Sequence, residues 1–200
     1  MNNSHKKIAL ALGLCLGAAM PAGAQPAEYP SKPIRLVVGF APGGAADYVA
    51  RAMSDAFAKA LGQPVVIDNK PGNGSSIAAD IVAKAPADGY TLLIASPSSI
   101  SVNPALNPKL PYTARDLAAV TKMTTSPLVL AVNPATGIHP VADLVAAAKK
   151  DPGKLNYSTS GNGSAPHLGA ALFSQVTGVE MTHIPFRGGS LAIQSVMAGD

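Results

Sequence analysis

The chain has 200 residues, of which 48% are apolar and only 4% are aromatic, with no tryptophan and a formal net charge of +4. This length allows one large domain or two small ones, and the composition fits an α/β core rich in alanine and valine. The scarcity of aromatic side chains and the lack of a long basic run argue against a nucleic-acid-binding surface, which needs stacking rings and phosphate-binding charges.

Residues 1–24 have the pattern of a secretory signal peptide. Two lysines form a positive start, residues 8–19 form an apolar stretch too short to span a bilayer, and residues 22–24 (Ala-Gly-Ala) offer a cleavage site. Without this segment the net charge falls to +2, because it holds two lysines and no acid. The only cysteine, Cys15, lies inside it, so the exported chain is expected to contain no disulfide. The sequence therefore predicts export to a bacterial periplasm.

Strand and helix patterns alternate through the first half of the exported chain. Short β-branched runs predict buried strands, and apolar residues at helical spacing predict helices. A β-α-β order of this kind builds a mostly parallel sheet. In chain order, the sequence predicts a strand over 34–38, a helix over 45–61, a strand over 64–67, a helix over 76–84 and a strand over 91–95.

A proline-rich irregular stretch follows and leads to a short helix near Asp116. The apolar run 128–132 is predicted to be another buried strand and the crossing between two lobes. Beyond it the sequence predicts helices over 141–150, 167–176 and 190–198 and strands over 155–158 and 181–185. Gly199-Asp200 has the character of a turn before a further strand, so the second lobe is expected to be incomplete. The predicted division is a signal peptide over 1–24, lobe one over 25–127 and lobe two over 128–200.

Three loops are candidates for a binding site, because ligands of open parallel sheets bind at the carboxyl ends of strands, beside helix N-termini. These loops lie at residues 40–47, 96–99 and 158–164. Their glycines and hydroxyl groups supply hydrogen-bond donors with little formal charge, and the following helices present positive dipole ends, which suits a carboxylate. The candidate ligand-binding residues are Phe40, Ala41, Pro42, Gly43, Gly44, Ala45, Asp47, Ser96, Ser98, Ser160, Gly161, Asn162, Gly163, Ser164 and His167.

Each of these features also has a purely structural interpretation. Gly43-Gly44 fits a tight turn, Asp47 fits a residue that complements the helix dipole, and His167 fits a structural or surface histidine. The joint position of the loops at the strand ends of two successive α/β units favours a binding site over three unrelated turns.

Signatures of catalysis and of cofactor binding are absent from the sequence. It has no Walker A motif, no G-x-S-x-G elbow and no G-x-G-x-x-G after a strand, and its histidines lack metal-ligand spacing. We therefore expect neither an enzyme nor a bound cofactor or metal. A hydrolase that uses Ser160 or Ser164 as nucleophile and His167 as base is the less favoured alternative, because no third, orienting carboxylate is evident.

An ordered set of motifs resembles a known family and covers nearly all of the exported chain. The motifs include YPSKPIR (29–35), VVGFAPGG (37–44), ADGYTLL (87–93), GNGS (161–164) and HIPF (183–186). In this order they closely resemble the Bug-type (TctC-like) substrate-binding receptors of the tripartite tricarboxylate transporter family.

The resemblance implies a two-lobed α/β periplasmic binding protein, type II-like, that closes on its ligand like a flytrap and is C-terminally truncated here. A ligand carboxylate would be held by loop backbone N–H groups and bridging waters, and Arg187 could pair with a second carboxylate. The implied partners are a small carboxylate and the membrane permease subunits of a transporter, with a monomeric receptor. A signalling receptor that presents the same kind of ligand to a sensor kinase is the alternative.

Overall fold

The computed structural model describes residues 28–200. The predicted signal peptide, residues 1–24, lies outside the described residues. Lys32–Asp200 forms one compact unit. None of the helices between residues 28 and 200 has both the length and the apolar character that crossing a bilayer requires.

The first half of the unit is built on a parallel three-stranded sheet in the order β2-β1-β3. Because β1 is the central strand and is covered on both faces, its residues are nearly all apolar and Val37 and Val38 are fully buried. The elements are β1 (Ile34–Val38), α1 (Ala45–Leu61), β2 (Val65–Asn69), α2 (Ser76–Ala83) and β3 (Thr91–Ile94).

The core of this half lies between the sheet and α1. Leu36, Val38 and Ile94 point from the strands towards Ala50 of the helix, and partly buried apolar side chains surround them. Each such buried aliphatic side chain contributes about 1.5–3 kcal/mol. Helix α1 ends at Gly62, which has the left-handed φ of 68° that a helix-terminating glycine adopts.

The chain between the two sheets is largely irregular. After β3 it forms a π-helical turn (Ser98–Val102), the short helix α3 (Asn103–Leu106) and two 3₁₀ turns, Ala114–Asp116 and Pro134–Thr136. A further 3₁₀ turn, Asn73–Ser75, precedes α2.

The second half contains a parallel two-stranded sheet with helices around it. Strands β4 and β5 pair from Asn156 opposite Thr182 to Thr159 opposite Pro185. The elements are α4 (Val141–Lys150), β4 (Asn156–Thr159), α5 (Ala165–Thr177), β5 (Thr182–Pro185) and α6 (Gly189–Ala198).

The predicted strand over 128–132 is wrong. This segment has no assigned secondary structure and pairs with no strand, and Leu128, Val129 and Leu130 are 57%, 84% and 57% exposed. An apolar β-branched run becomes a strand only where a neighbouring strand accepts its hydrogen bonds, and no described strand lies beside this one. The other predicted strands and helices are confirmed to within two residues at each end, and the helix near Asp116 is a 3₁₀ turn. The division into lobes at residue 128 stays a prediction.

Candidate functional site

Five loops follow the carboxyl ends of the strands, as expected for a site on a parallel sheet. They are the β1 loop (residues 39–44), the β2 loop (70–75), the β3 loop (95–99), the β4 loop (160–164) and the β5 loop (186–188). We refer to them together as the loop cluster.

The β1 and β5 loops contact each other directly, although they belong to different sheets. The Ala41 backbone N–H donates a hydrogen bond of 3.1 Å to the Arg187 carbonyl oxygen. Beside it, Ser190 Oγ in the first turn of α6 donates to the Pro42 carbonyl oxygen at 3.1 Å. Residues near the start of α1 and of α6 therefore lie next to each other.

The β2 and β4 loops also approach closely, and glycine makes the approach possible. A Cβ atom on Gly74 would lie 2.6 Å from the Asn162 carbonyl oxygen, and one on Gly163 would overlap Asn103 Oδ1. Asn103 holds the β2 side in place, since its Nδ2 donates to the Asn73 carbonyl oxygen at 2.9 Å and to Ser76 Oγ at 2.7 Å. Larger residues at the two glycines would separate the loops.

Three of the helices that begin at the loop cluster lack a side-chain cap. The N-cap residues Gly44 of α1, Ser75 of α2 and Gly188 of α6 make no side-chain capping bond to the first turn. Only α5 is capped, by Ser164 Oγ, which accepts from the His167 N–H at 3.4 Å. Uncapped N-termini leave backbone N–H groups and positive dipole ends available to an anion.

Asp47 is buried, and its carboxylate accepts hydrogen bonds from three other residues of the chain. Its carboxylate accepts from the Gly43 N–H, Arg51 Nε and Asn69 Nδ2, each at 2.9 Å. The bond from Arg51, helped by those from Gly43 and Asn69 and opposed by burial, lowers the pKa of Asp47 to about 2. The charge on Asp47 therefore fixes the β1 loop, and an anionic ligand would be repelled by it, so the structural interpretation of this residue fits best.

Four of the backbone N–H groups that the sequence suggested as ligand donors are engaged inside the chain in this conformation. Ala41 bonds to the Arg187 carbonyl oxygen and Gly43 to Asp47. In the β4 loop, Gly161 donates to Thr159 Oγ1 and Gly163 donates to His167 Nδ1, both at 3.2 Å. Gly43, Gly161 and Gly163 bond to residues within four positions along the chain, whereas Ala41 bonds across to the β5 loop, and the sequence pattern reveals neither arrangement.

A stack of three rings supports the β4 loop. The His183 ring lies between Tyr157, at 4.9 Å between centroids, and His167, at 4.3 Å, with interplanar angles of 21° and 19°. His183 Nε2 is also 2.6 Å from Thr159 Oγ1. Burial holds the pKa of His183 below its usual range, and the neighbouring His167 acts in the same direction. Sequence reasoning assigned no role to His183 or Thr159, because nothing in the local pattern links β4 to β5.

Two buried hydroxyl groups in the loop cluster have no hydrogen-bond partner among the described residues, Ser75 Oγ and Ser96 Oγ. Ser75 is fully buried and has a φ of 75°, which is unfavourable for any residue except glycine. Its hydroxyl packs directly against Gly39, and a Cβ atom on Gly39 would overlap it. Strain and an unsatisfied buried group at one position indicate function, and Ser75 was missed by the sequence analysis.

The remaining predicted residues are distributed around the same cluster. Ser98 is buried, Ser160 is half-buried, and the exposed Arg187 makes no ion pair with any residue from 28 to 200. The hydrolase alternative lacks the hydrogen bond that it needs between serine and histidine at Nδ1, because His167 Nδ1 accepts from the Gly163 N–H and not from a serine hydroxyl. Ser164 Oγ is occupied as a helix cap.

A separate cavity of about 300 Å³ lies between β4, β5 and α6. Its lining includes Ser158, Ile184, Phe186 and Val196 and is mostly apolar, and it contains none of the predicted ligand-binding residues. No group of three or more His, Cys, Asp or Glu side chains among residues 28–200 is arranged to hold a metal ion.

Comparisons with known proteins agree with this architecture. Residues 49–200 match the model of a family described as the tripartite tricarboxylate transporter family receptor, TctC. Over 199 residues the chain is 37% identical to the UPF0065 protein in the tcbD-tcbE intergenic region of Pseudomonas sp. (strain P51), which covers 99% of this chain and 59% of that protein. The chain thus spans less than two thirds of the length of this relative.

Two solved structures are similar in fold and in sequence. MatC from Rhodopseudomonas palustris, solved with bound malate, has a TM-score of 0.80 and 32% identity. R. palustris Rpa4515, solved with adipate, has a TM-score of 0.78 and 34% identity. Each match covers 86% of this chain and 58% of the other. The α/β fold of periplasmic binding proteins that the sequence predicted is confirmed.

Proposed function

Since the chain belongs to the tripartite tricarboxylate transporter receptor family, we propose that it captures a small carboxylate in the periplasm and delivers it to the permease subunits of such a transporter. Export rests on the predicted signal peptide over residues 1–24. The protein acts by binding and release, without turnover. MatC, which holds malate, and Rpa4515, which holds adipate, make small dicarboxylates the first ligands to test.

The observation that carries this proposal is the group of uncapped helix N-termini at the loop cluster. Helices α1, α2 and α6 all begin there without a side-chain cap, and Asp47, the one acid in their first turns, is already paired with Arg51. Backbone N–H groups and the buried Ser75 hydroxyl can donate to carboxylate oxygens. Each hydrogen bond to a charged group is worth about 1.5–3 kcal/mol, so three or four bonds, less the ordering costs, support micromolar affinity.

A thermal melt of the protein against a panel of acids tests the proposal. Malate, adipate and citrate are each added in excess, and the uncharged diamide of succinic acid serves as the control ligand. An acid at about 100 times its Kd stabilises the native state by about 2.7 kcal/mol, which raises the Tm by roughly 5–10 °C for a chain of this size. A cooperative melt that none of the carboxylates shifts would contradict the proposed ligand class.

A further inference from the structure

The β4 loop is tied to the ring stack through both of its glycines. Gly163 donates its N–H to His167 Nδ1, and Gly161 donates to Thr159 Oγ1, which in turn lies 2.6 Å from His183 Nε2. The stacked histidines thus hold the β4 loop, whose residues 160–164 are all among the candidate ligand-binding residues. Neither histidine forms an ion pair with a carboxylate among residues 28–200.

We propose that His167 is a positioning residue whose neutral ring keeps the β4 loop in its ligand-binding geometry, so that affinity for a carboxylate falls when His167 is protonated. The inference rests on the proposed function and deepens it, because it adds pH control to the same site.

The hydrogen bond from Gly163 depends on the protonation state of the His167 ring. A nitrogen of imidazole accepts a hydrogen bond only while it carries no proton, and a protonated ring has protons on both nitrogens. Protonation of His167 at Nδ1 therefore places two donors against each other, 3.2 Å apart. Asn103 Oδ1 packs directly against Gly163, which leaves the loop little room to relieve this contact by a local shift.

The neighbouring ring of His183 is sensitive to the charge on His167. His183 is stacked on His167 at 4.3 Å, and two positive rings at this distance repel each other. Burial and the proximity of His167 hold the pKa of His183 below its usual range, so a positive charge on His183 beside His167 is disfavoured. The titratable ring stacked on His167 is His183 on β5, and Tyr157 on β4 stacks on His183 in turn. Helix α6, which also packs against β4, carries no ionisable side chain.

Three variants separate the hydrogen bond from the stacking. His167→Phe keeps an aromatic ring without an acceptor, His167→Ala removes both, and His167→Asn offers an amide oxygen close to the position of Nδ1 that does not titrate. The affinity for malate and for adipate is measured by calorimetry from pH 8 to pH 5, the range in which histidines titrate. Protonation of the ligand itself is common to all variants and cancels when they are compared at one pH.

For the native protein we expect the affinity to fall by about fivefold more than in the His167→Asn variant as the pH drops, since one hydrogen bond to the loop is lost. The Phe and Ala variants are expected to bind weakly at every pH, and the Asn variant to bind more tightly than either of them. His139→Asn, at an exposed histidine ahead of α4, is the matched control and should keep the native pH profile. An identical pH profile in the native protein and the His167→Asn variant would overturn the proposal.

A second readout does not depend on a ligand. The amide resonance of Gly163 should shift with pH in step with the ring resonances of His167, and the shift should be absent from the His167→Asn variant. If no carboxylate binds at any pH but Gly163 titrates with His167, the proposed function fails and the coupling stands. If Gly163 does not respond while His167 titrates, the positioning role is refuted whatever the ligand.

Discussion

Asp47 receives hydrogen bonds from three separate parts of the first half: the Gly43 amide of the β1 loop, Arg51 one helical turn further along α1, and Asn69 at the end of β2. Asn69 also donates to the Phe40 carbonyl oxygen at 3.1 Å, so the same network reaches both ends of the loop. A buried charge of this kind is favourable only while its partners remain in place. The network therefore makes loop geometry and folding stability depend on one carboxylate.

Replacement of Asp47 by asparagine is expected to lower the free energy of unfolding at pH 7 by about 2 kcal/mol, which corresponds to a shift of nearly two pKa units. Because the folded-state pKa, about 2, lies below the unfolded value, the contribution of Asp47 is fully present above roughly pH 4 and is lost as the pH falls towards 2. Urea unfolding at several pH values checks this, with Asp55→Asn on the exposed face of α1 as the control. A constant difference between native protein and variant down to pH 2 would contradict this explanation.

At the scale of elements, the start of α2 combines features that lower the stability of the fold and that a purely structural helix would not need. Ser75 has a positive φ, an unsatisfied buried hydroxyl and no capping bond, and Asn73, two residues earlier, also has a positive φ of 46°. The turn is held in this shape by Asn103 and by the contact with Gly39. Such costs persist at sites where the strained group meets a ligand.

Ser75→Gly is expected to raise the free energy of unfolding by about 1 kcal/mol, because glycine relieves the positive φ and removes the unsatisfied hydroxyl. The same change should weaken carboxylate binding by about tenfold, since a hydrogen bond to a charged ligand is lost. Asn73→Gly relieves the backbone in the same way without touching a buried hydroxyl, so it should stabilise the protein and leave affinity unchanged. Melts and calorimetry on the two variants measure both quantities, and unaltered affinity in Ser75→Gly would remove Ser75 from the site.

Most elements could be predicted from the sequence because their signals are local. The apolar run of β1, the helical spacing within α1 and the glycine at its end each depend on residues close in the chain. The segment 128–132 could not be predicted, since a strand needs a partner and periodicity does not say whether one is present. The same limit applies to the site. The loops were found from their position after strands, whereas His183, Ser75 and Asn103 act through contacts between distant segments.

At the scale of the whole molecule, the loops of the two sheets meet through backbone atoms. Gly188 packs against Ala41, and a Cβ at Gly188 would lie 3.0 Å from both the nitrogen and the Cβ of Ala41. The φ of Gly188 is 169°, an extended value that any residue adopts, so its small size alone allows the contact. A Cβ atom on the adjacent Gly189 would have no neighbouring atom within 4 Å.

Gly188→Val should therefore push the β5 loop away from the β1 loop and break the bond between Ala41 and Arg187. We expect carboxylate affinity to fall by at least tenfold, and because Gly188 is buried, a melt of the ligand-free variant measures the separate cost to stability. Gly189→Ala is the matched control, since an added methyl group meets nothing there and alanine favours the helix that begins at this residue. Equal affinities for the two variants would show that the contact between the loops does not matter for binding.

The stretch of residues 117–133 connects the two halves without a helix, a strand or a substantial buried face. Exposed segments without secondary structure are the preferred sites of proteolytic cleavage, and Lys122 lies exposed within this one. The first cut by trypsin should fall there, and the resulting pieces would remain associated through the loop cluster and through Met123, which packs on the core of the first half. A bound carboxylate that bridges the loops would then slow the dissociation of the two fragments. The dissociation rate of the cleaved protein would therefore report how much of it has ligand bound.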